Sequence, residues 1–465
     1  MTHRLAIAVL TTVLVTPLPA CDDRDELDAT SASAGAQAAA EAASPAARLE
    51  RARRADKLFV AWCAGCHGER GRGDGPAARV IDPKPRNLVV ESFKIRTTAS
   101  GKPPTAQDIF DTITRGLPGT AMPSFSFLPE DDRHLLVEHV RALAGHAELP
   151  APEVVAVGKA PPAGFELLAR GKTLYMDLGC NRCHGDTGRG DGPSSNELKD
   201  TQGRPLPARD YSKGRFMGGD APEAIHTRLI TGLDGSGMPS YGEAITRDDG
   251  WAIAHYVLSL REPTPPMLAD PVARGRAVVA DRQCFSCHVI EGRGGDVGPS
   301  LDVAARKLRY DWVEGFLRDP PAYGKIYPYM PYRMPNLRLS DEEIEGVLSL
   351  FAQLAGRSYP APAPAPVSID TELLGDGQLL FFLKCTECHN MGEVIPIPEA
   401  KRQGPDLIDV SKRIHFEWIP TWVNNPQQVY PGTRMVDTNL TEAEIKAVTA
   451  WVWKTSVDAL ARSSP

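Results

Sequence analysis

The sequence predicts an all-α protein of four tandem helical domains joined by Pro-rich linkers. Three observations predict it. Apolar residues recur with a helical period near 3.6 in four places, over 131–143, 248–260, 341–354 and 441–453. A Cys-x-x-Cys-His block precedes each of these stretches. Proline-rich breaks at 149–163, 262–271 and 360–366 leave segments of roughly 90–100 residues, the size of a small domain.

The elements follow from the N-terminus. His3 and Arg4 make a short polar start. An apolar run over 5–15 follows, interrupted only by Thr11 and Thr12. It is too short to span a bilayer, which takes about 20 residues. It reads as the core of a secretory signal over 1–20. Leu18-Pro19-Ala20-Cys21 resembles a bacterial lipobox, so Cys21 is the expected lipidation site. That assignment also accounts for the one cysteine outside the pairs; ordinary cleavage after Ala20 would leave it as a free thiol. Asp22 resembles a signal for retention in the inner membrane. Residues 21–47, rich in Ala, Ser and acidic side chains, read as a flexible tether.

Four domains are expected, at 48–148, 164–262, 267–356 and 367–465. Each opens with a short helix before its cysteines, as at 171–175 and 377–381. Each closes with a helix whose acidic first residues suit the positive end of the helix dipole. Thr441 and Glu444 have the spacing of a capping box. Two subtypes are visible. The first two domains share a glycine loop, Gly71-Arg72-Gly73-Asp74-Gly75-Pro76 and Gly188-Arg189-Gly190-Asp191-Gly192-Pro193. The last two share a tryptophan block, Tyr310-Asp311-Trp312 and Phe416-Glu417-Trp418. The repeat reads as beads on a string, since each unit has its own site.

Hydrophobic residues make up 42% of the 465 and the net charge is −7, so cores can form and nucleic acid is excluded as a partner. Residues 48–148 carry 16 basic and 13 acidic groups, net +3; residues 367–465 carry 9 and 13, net −4. Such a difference could present two faces to two partners. The acidic residues show no paired arrangement for acid–base catalysis.

The chemistry lies in the four blocks: Cys63, Cys66 and His67; Cys180, Cys183 and His184; Cys284, Cys287 and His288; Cys385, Cys388 and His389. Cys-x-x-Cys-His is the attachment signature of c-type haem. Two thiols three positions apart reach the two vinyl groups on one haem edge, and the histidine then lies under the iron. Zinc or thioredoxin-type readings suit one such motif better than four in an exported chain. Four covalently attached haems are therefore expected. A second iron ligand should recur at matched spacing. Met122 and Met238 lie 55 and 54 residues after their histidines; Met334 and Met435 each lie 46 after theirs. Met330 is the alternative to Met334 in the third domain. Prolines in the following loops, Pro76, Pro193, Pro299 and Pro405, are the expected acceptors for the histidines' other ring nitrogen. His134, His139, His146, His226, His255 and His415 read as surface or helix-face residues. Trp312, Trp418, Trp422 and Trp451 read as core.

Each segment resembles a class I cytochrome c domain: helix, Cys-x-x-Cys-His, proline loop, Met-Pro, helix. The resemblance covers everything but the signal, tether and linkers. It implies an all-α wrap in which the terminal helices cross, a glycine facing an aromatic ring. Here that pairs Gly171 with Tyr256, Gly275 with Phe351 and Gly377 with Trp451. The first segment departs, with Ala55 or Asp56 in place of glycine and His139 in place of the ring. The implied function is a multihaem electron carrier with His/Met ligation and no substrate chemistry. It would be lipid-anchored at the periplasmic face of the bacterial inner membrane and serve a respiratory chain. The expected donor is a quinol-oxidising complex or dehydrogenase, and the acceptor a terminal oxidase or reductase. The alternatives are a cytochrome subunit of a membrane-bound dehydrogenase, or a haem enzyme with one open iron, such as a peroxidase.

Overall fold

The structure, a computed structural model, describes residues 44–323, 331–361, 367–396, 398, 403–431 and 433–463. Cys21, the signal, most of the tether and Met330 lie outside them. Residues up to Arg53 form one unit, described only in the opening turns of the helix Pro45–Trp62; Arg54–Pro465 form the other. Among the described residues no helix is long and apolar enough to cross a membrane.

The second unit is helical, with one two-stranded ribbon at 289–294. The closing helices are Glu130–Leu143, Arg247–Ser259, Asp341–Ala355 and Glu442–Ser463. The last runs ten residues beyond its expected end. Three are started by capping boxes: Thr246 with Asp249, Ser340 with Glu343, and Thr441 with Glu444.

Opening and closing helices cross tightly. A Cβ on Gly171 would lie 2.1 Å from the Ala252 carbonyl oxygen and 2.7 Å from Tyr256 Cβ. On Gly377 it would lie 2.1 Å from the Ala447 oxygen and 2.7 Å from Trp451 Cβ. Gly275 meets the Gly346 oxygen at 2.1 Å and Leu350, rather than the Phe351 ring. Gly346 lets those two helices approach backbone to backbone, so no ring is needed at the crossing. In the first domain Ala55 is buried and the Phe59 and His139 rings lie 4.6 Å apart.

The domains are not beads on a string. The 149–163 linker is pinned along its length: Val155 N–H donates to Thr97, and Ala160 N–H to Glu223. The third and fourth domains pair through an antiparallel bridge, Leu308 with Ile414, flanked by Arg309 N–H to Arg413 and His415 N–H to Lys307. Leu308 and Ile414 each lie four residues before the tryptophans of their blocks, Trp312 and Trp418. The duplicated domains therefore meet through equivalent residues. Local sequence patterns do not carry such contacts, because they form between segments remote in the chain.

Trp312, Trp418 and Trp451 are buried and Trp422 is half-buried. His226, expected on a surface or helix face, is 1% exposed, with its ring edge-on to Trp251 and against Gly250.

Candidate functional site

The four attachment turns share one geometry. In each, the histidine N–H donates to the carbonyl of the first cysteine: His67 to Cys63 at 2.9 Å, His184 to Cys180 at 2.9 Å, His288 to Cys284 at 3.0 Å, and His389 to Cys385 at 2.9 Å. One tight turn thus presents two sulfurs and an imidazole together. Burial pushes the Cys63 and Cys66 thiols up to about 12, and those of Cys180, Cys284 and Cys385 up to about 11. A thioredoxin-type pair needs a lowered thiol pKa, so these cysteines do not fit that role. Among the described residues no group of three or more His, Cys, Asp or Glu is placed to hold a bare metal ion.

Past the turn the subtypes diverge. In the first two domains, Gly75 N–H donates to Cys66 and Gly192 N–H to Cys183. In the last two, Gly298 N–H donates to Cys287 and Gly404 N–H to Cys388. A Cβ on Gly298 or Gly404 would lie 2.4 Å from Cε1 of His288 or His389. Both imidazoles are thus seated on bare backbone. Sequence reasoning passed over these two glycines, although each directly precedes an expected proline acceptor.

The expected acceptors hold for the last two sites. His288 Nδ1 lies 2.8 Å from the Pro299 oxygen, and His389 Nδ1 2.8 Å from that of Pro405. Pro76 and Pro193 do not serve the first two. His67 Nδ1 meets the Arg86 oxygen at 2.9 Å, and His184 Nδ1 meets that of Arg209 at 3.5 Å. The physical reason is local. Pro76 begins a 3-10 turn, Pro76–Arg79, and its carbonyl accepts from Arg79 Nε instead. The chain reaches the imidazole only on its return. A carbonyl accepting from Nδ1–H leaves Nε2 as the basic nitrogen. Burial lowers the pKa of all four imidazoles, that of His184 to about 4, so each is neutral and able to ligate. At the second site the Tyr211 hydroxyl lies 2.8 Å from His184 Nε2, and must turn aside for any metal there.

One continuous cavity of 590 Å³ is lined by His67, Met122, His184, Met238, His288 and Met334 together. Its lining includes eight Lys and Arg residues and one carboxylate, Asp82; of the eight, Arg86, Arg215 and Arg282 pair with Glu91, Asp281 and Glu343 outside the lining. Burial pushes one of them, Lys94, down to about 8. Part of the first domain's basic excess is therefore internal. A cofactor with an apolar body and anionic groups fits such a wall; haem, with its two propionates, is one. Met122, Met238 and Met435 sit in the same small turn, each N–H facing the hydroxyl two residues earlier, on Thr120, Ser236 and Thr433. Met334 packs against the third domain's core. Met435 is half-buried. The first attachment turn adjoins the third domain's methionine segment: Arg333 N–H donates to Ala61, and a Cβ on Gly65 would lie 3.6 Å from the Tyr332 ring.

The sequence model of the cytochrome c family matches residues 52–144, 168–261 and 272–355. A curated relative, cytochrome c oxidase subunit 2 of Bacillus sp. (strain PS3), is 28% identical over 106 residues, which are 21% of this chain and 30% of that protein. The chain therefore spans less than a third of that relative's length. Among solved structures, the reducing HAO-like protein complex of Kuenenia stuttgartiensis contains a chain 38% identical, with a TM-score of 0.44, covering 45% of this chain and 96% of that one.

Proposed function

The chain belongs to the cytochrome c family, and from that premise we propose that it holds four covalent haems and passes electrons between redox proteins without substrate chemistry of its own. Its repeated cytochrome c domains make it a multihaem electron-transfer protein. Cys63, Cys66, Cys180, Cys183, Cys284, Cys287, Cys385 and Cys388 would form the thioethers. His67, His184, His288 and His389 would ligate iron on one side, and Met122, Met238, Met334 and Met435 on the other. When bound, haem supplies a one-electron iron couple, and a methionine ligand raises its potential. The chain's own part is positional. The carbonyls of Arg86, Arg209, Pro299 and Pro405 hold the imidazoles, apolar walls exclude water, and the basic wall balances anionic groups.

The observation that carries this reading is the shared cavity, whose lining includes a histidine and a methionine from each of the first three domains. The fourth site repeats the attachment turn and the methionine turn. Iron held by both histidine and methionine would offer no free position to peroxide or oxygen.

Partners and place belong to the same proposal. Lipid on Cys21 would hold the protein at the periplasmic face of the inner membrane, between a quinol-oxidising complex or dehydrogenase and a terminal oxidase or reductase. The last domain supports docking to a basic redox protein. Leu379, Phe382 and Leu383 are about 60% exposed on the helix just before Cys385, with exposed Glu372, Asp376 and Glu387 against one exposed base, Lys384, on the same stretch. Intact-mass measurement of the mature protein tests the cofactor count. Four haem additions support it; three would restrict attachment to the three family-matched segments.

A further inference from the structure

The seam between the first two domains is crossed by an arginine that serves both sites. Arg86 and Arg209 occupy the same place in their own domains: the backbone carbonyl of each faces Nδ1 of that domain's histidine. The guanidinium of Arg209 crosses to the first domain, whereas Arg86 Nη1 pairs with Glu91 of its own domain at 2.7 Å. Arg209 Nη1 donates to the Pro118 oxygen at 2.6 Å and Nη2 to that of Gly119 at 2.9 Å. Both carbonyls lie inside the turn that Leu117 N–H closes on the Met122 oxygen at 3.0 Å. Arg86 Nη1 lies beside Gly235, where a Cβ would be 3.0 Å away, but makes no hydrogen bond to it. Gly235 lies in the equivalent turn, which Leu233 N–H closes on the Met238 oxygen at 3.1 Å. Gly119 and Gly235 each stand three residues before their methionine, and each has φ of +74°. The second turn is gripped from the first domain by other residues: Arg96 pairs with Asp234 at 2.8 Å, and Ser100 Oγ and Gly101 N–H donate to the same carboxylate.

We propose that Arg209 is a positioning residue for two sites at once, seating its own domain's His184 through its carbonyl and the first domain's Met122 turn through its guanidinium. This rests on the reading of Met122 and Met238 as iron ligands. The consequence is mechanical coupling. Met122 could not leave an iron without pulling on Arg209, the residue that orients His184. The two sites should therefore resist ligand loss jointly, and a lesion in one domain should register at the haem of the other.

The test uses the haem-loaded full chain. In Arg209→Gln the backbone carbonyl, and hence the support of His184, is kept, while the grip on the Met122 turn is lost. Imidazole, which competes with a methionine ligand, is the probe. Its binding and the long-wavelength methionine–iron absorption of the ferric protein are recorded together. The first haem should bind imidazole about tenfold more tightly, the scale of one lost hydrogen bond to a charged donor. Arg209→Lys should fall between the two, and serves if the glutamine variant loads haem poorly. Assignment comes from backgrounds: the Arg209→Gln effect should vanish in Met122→Ala and persist in Met238→Ala. An increase confined to the second haem, or none beyond twofold, overturns the proposal. Should Met122→Ala alone leave the methionine absorption and imidazole binding unchanged, the ligand assignment itself fails instead.

Discussion

Adding one methyl group at a helix crossing should destabilise three of the domains, while removing one should destabilise the first. At Gly171, Gly275 and Gly377 an added Cβ would sit 2.1 Å from a carbonyl oxygen on the closing helix. Favourable contact begins near 3.5 Å, so the helices must part by about 1 Å. Overpacking of this kind costs about 1–3 kcal/mol, and here the obstacle is backbone, which cannot rotate away. Alanine's better helix propensity returns about 1 kcal/mol. Because the obstacle is backbone, the upper part of that range, about 2–3 kcal/mol, applies, which leaves a net loss of about 1–2 kcal/mol for Gly171→Ala, Gly275→Ala and Gly377→Ala. The first domain already carries Ala55, buried at 3% exposure. Ala55→Gly loses about 1 kcal/mol of propensity and about 0.8 kcal/mol of buried methyl. Chemical denaturation of the haem-loaded protein, followed by circular dichroism in the haem bands, reads all four. A neutral or stabilising Gly377→Ala would refute the crossing geometry, as would a stabilising Ala55→Gly.

Three further outcomes are expected. Gly298→Ala and Gly404→Ala push a methyl to 2.4 Å from the imidazoles of His288 and His389, so each should lower haem content or shift one haem's potential while the other three stay put; full loading with an unchanged titration would count against the seating. Asp249 is held below the usual carboxylate range chiefly by the Thr246 hydroxyl, with Arg170 assisting. Its contribution is therefore present above its ordinary pKa near 3.8 and is lost as pH falls through the lower folded value. Asp249→Asn should cost about 1 kcal/mol at pH 7 and flatten the acid limb of a stability–pH curve; an unaltered limb would contradict this. Cys21→Ser should move the protein from the membrane fraction to the soluble fraction after export, and continued membrane retention would remove lipidation from the account.

Much of this was legible in the sequence because the information is local. Attachment turns follow from spacing, capping boxes from the residue pair, and closing helices from apolar period. Matched intervals singled out Met122, Met238 and Met334, whose placement in the cavity depends on distant packing. Information that crosses domains was not legible. Pro76 and Pro193 are the nearest carbonyl-bearing candidates in sequence, yet the 3-10 turn at Pro76 points its carbonyl elsewhere and the chain returns with Arg86. Nothing local distinguishes Arg209 from any loop arginine, because its partners lie 90 residues away. The Pro-rich breaks read as spacers, since composition reports stiffness but not the hydrogen bonds that pin 149–163 to its neighbours. Gly298 and Gly404 carried a readable signal, a glycine between the attachment turn and the acceptor proline in both copies of one subtype.

The central claim is that each haem has histidine on one side and methionine on the other. A redox titration of the purified, haem-loaded protein, followed in the visible spectrum with and without carbon monoxide, tests it most directly. The account predicts four low-spin haems of moderately high potential, the weak methionine–iron band in the ferric state, and no carbon monoxide adduct. A high-spin or carbon monoxide-reactive haem would contradict it and make one site catalytic.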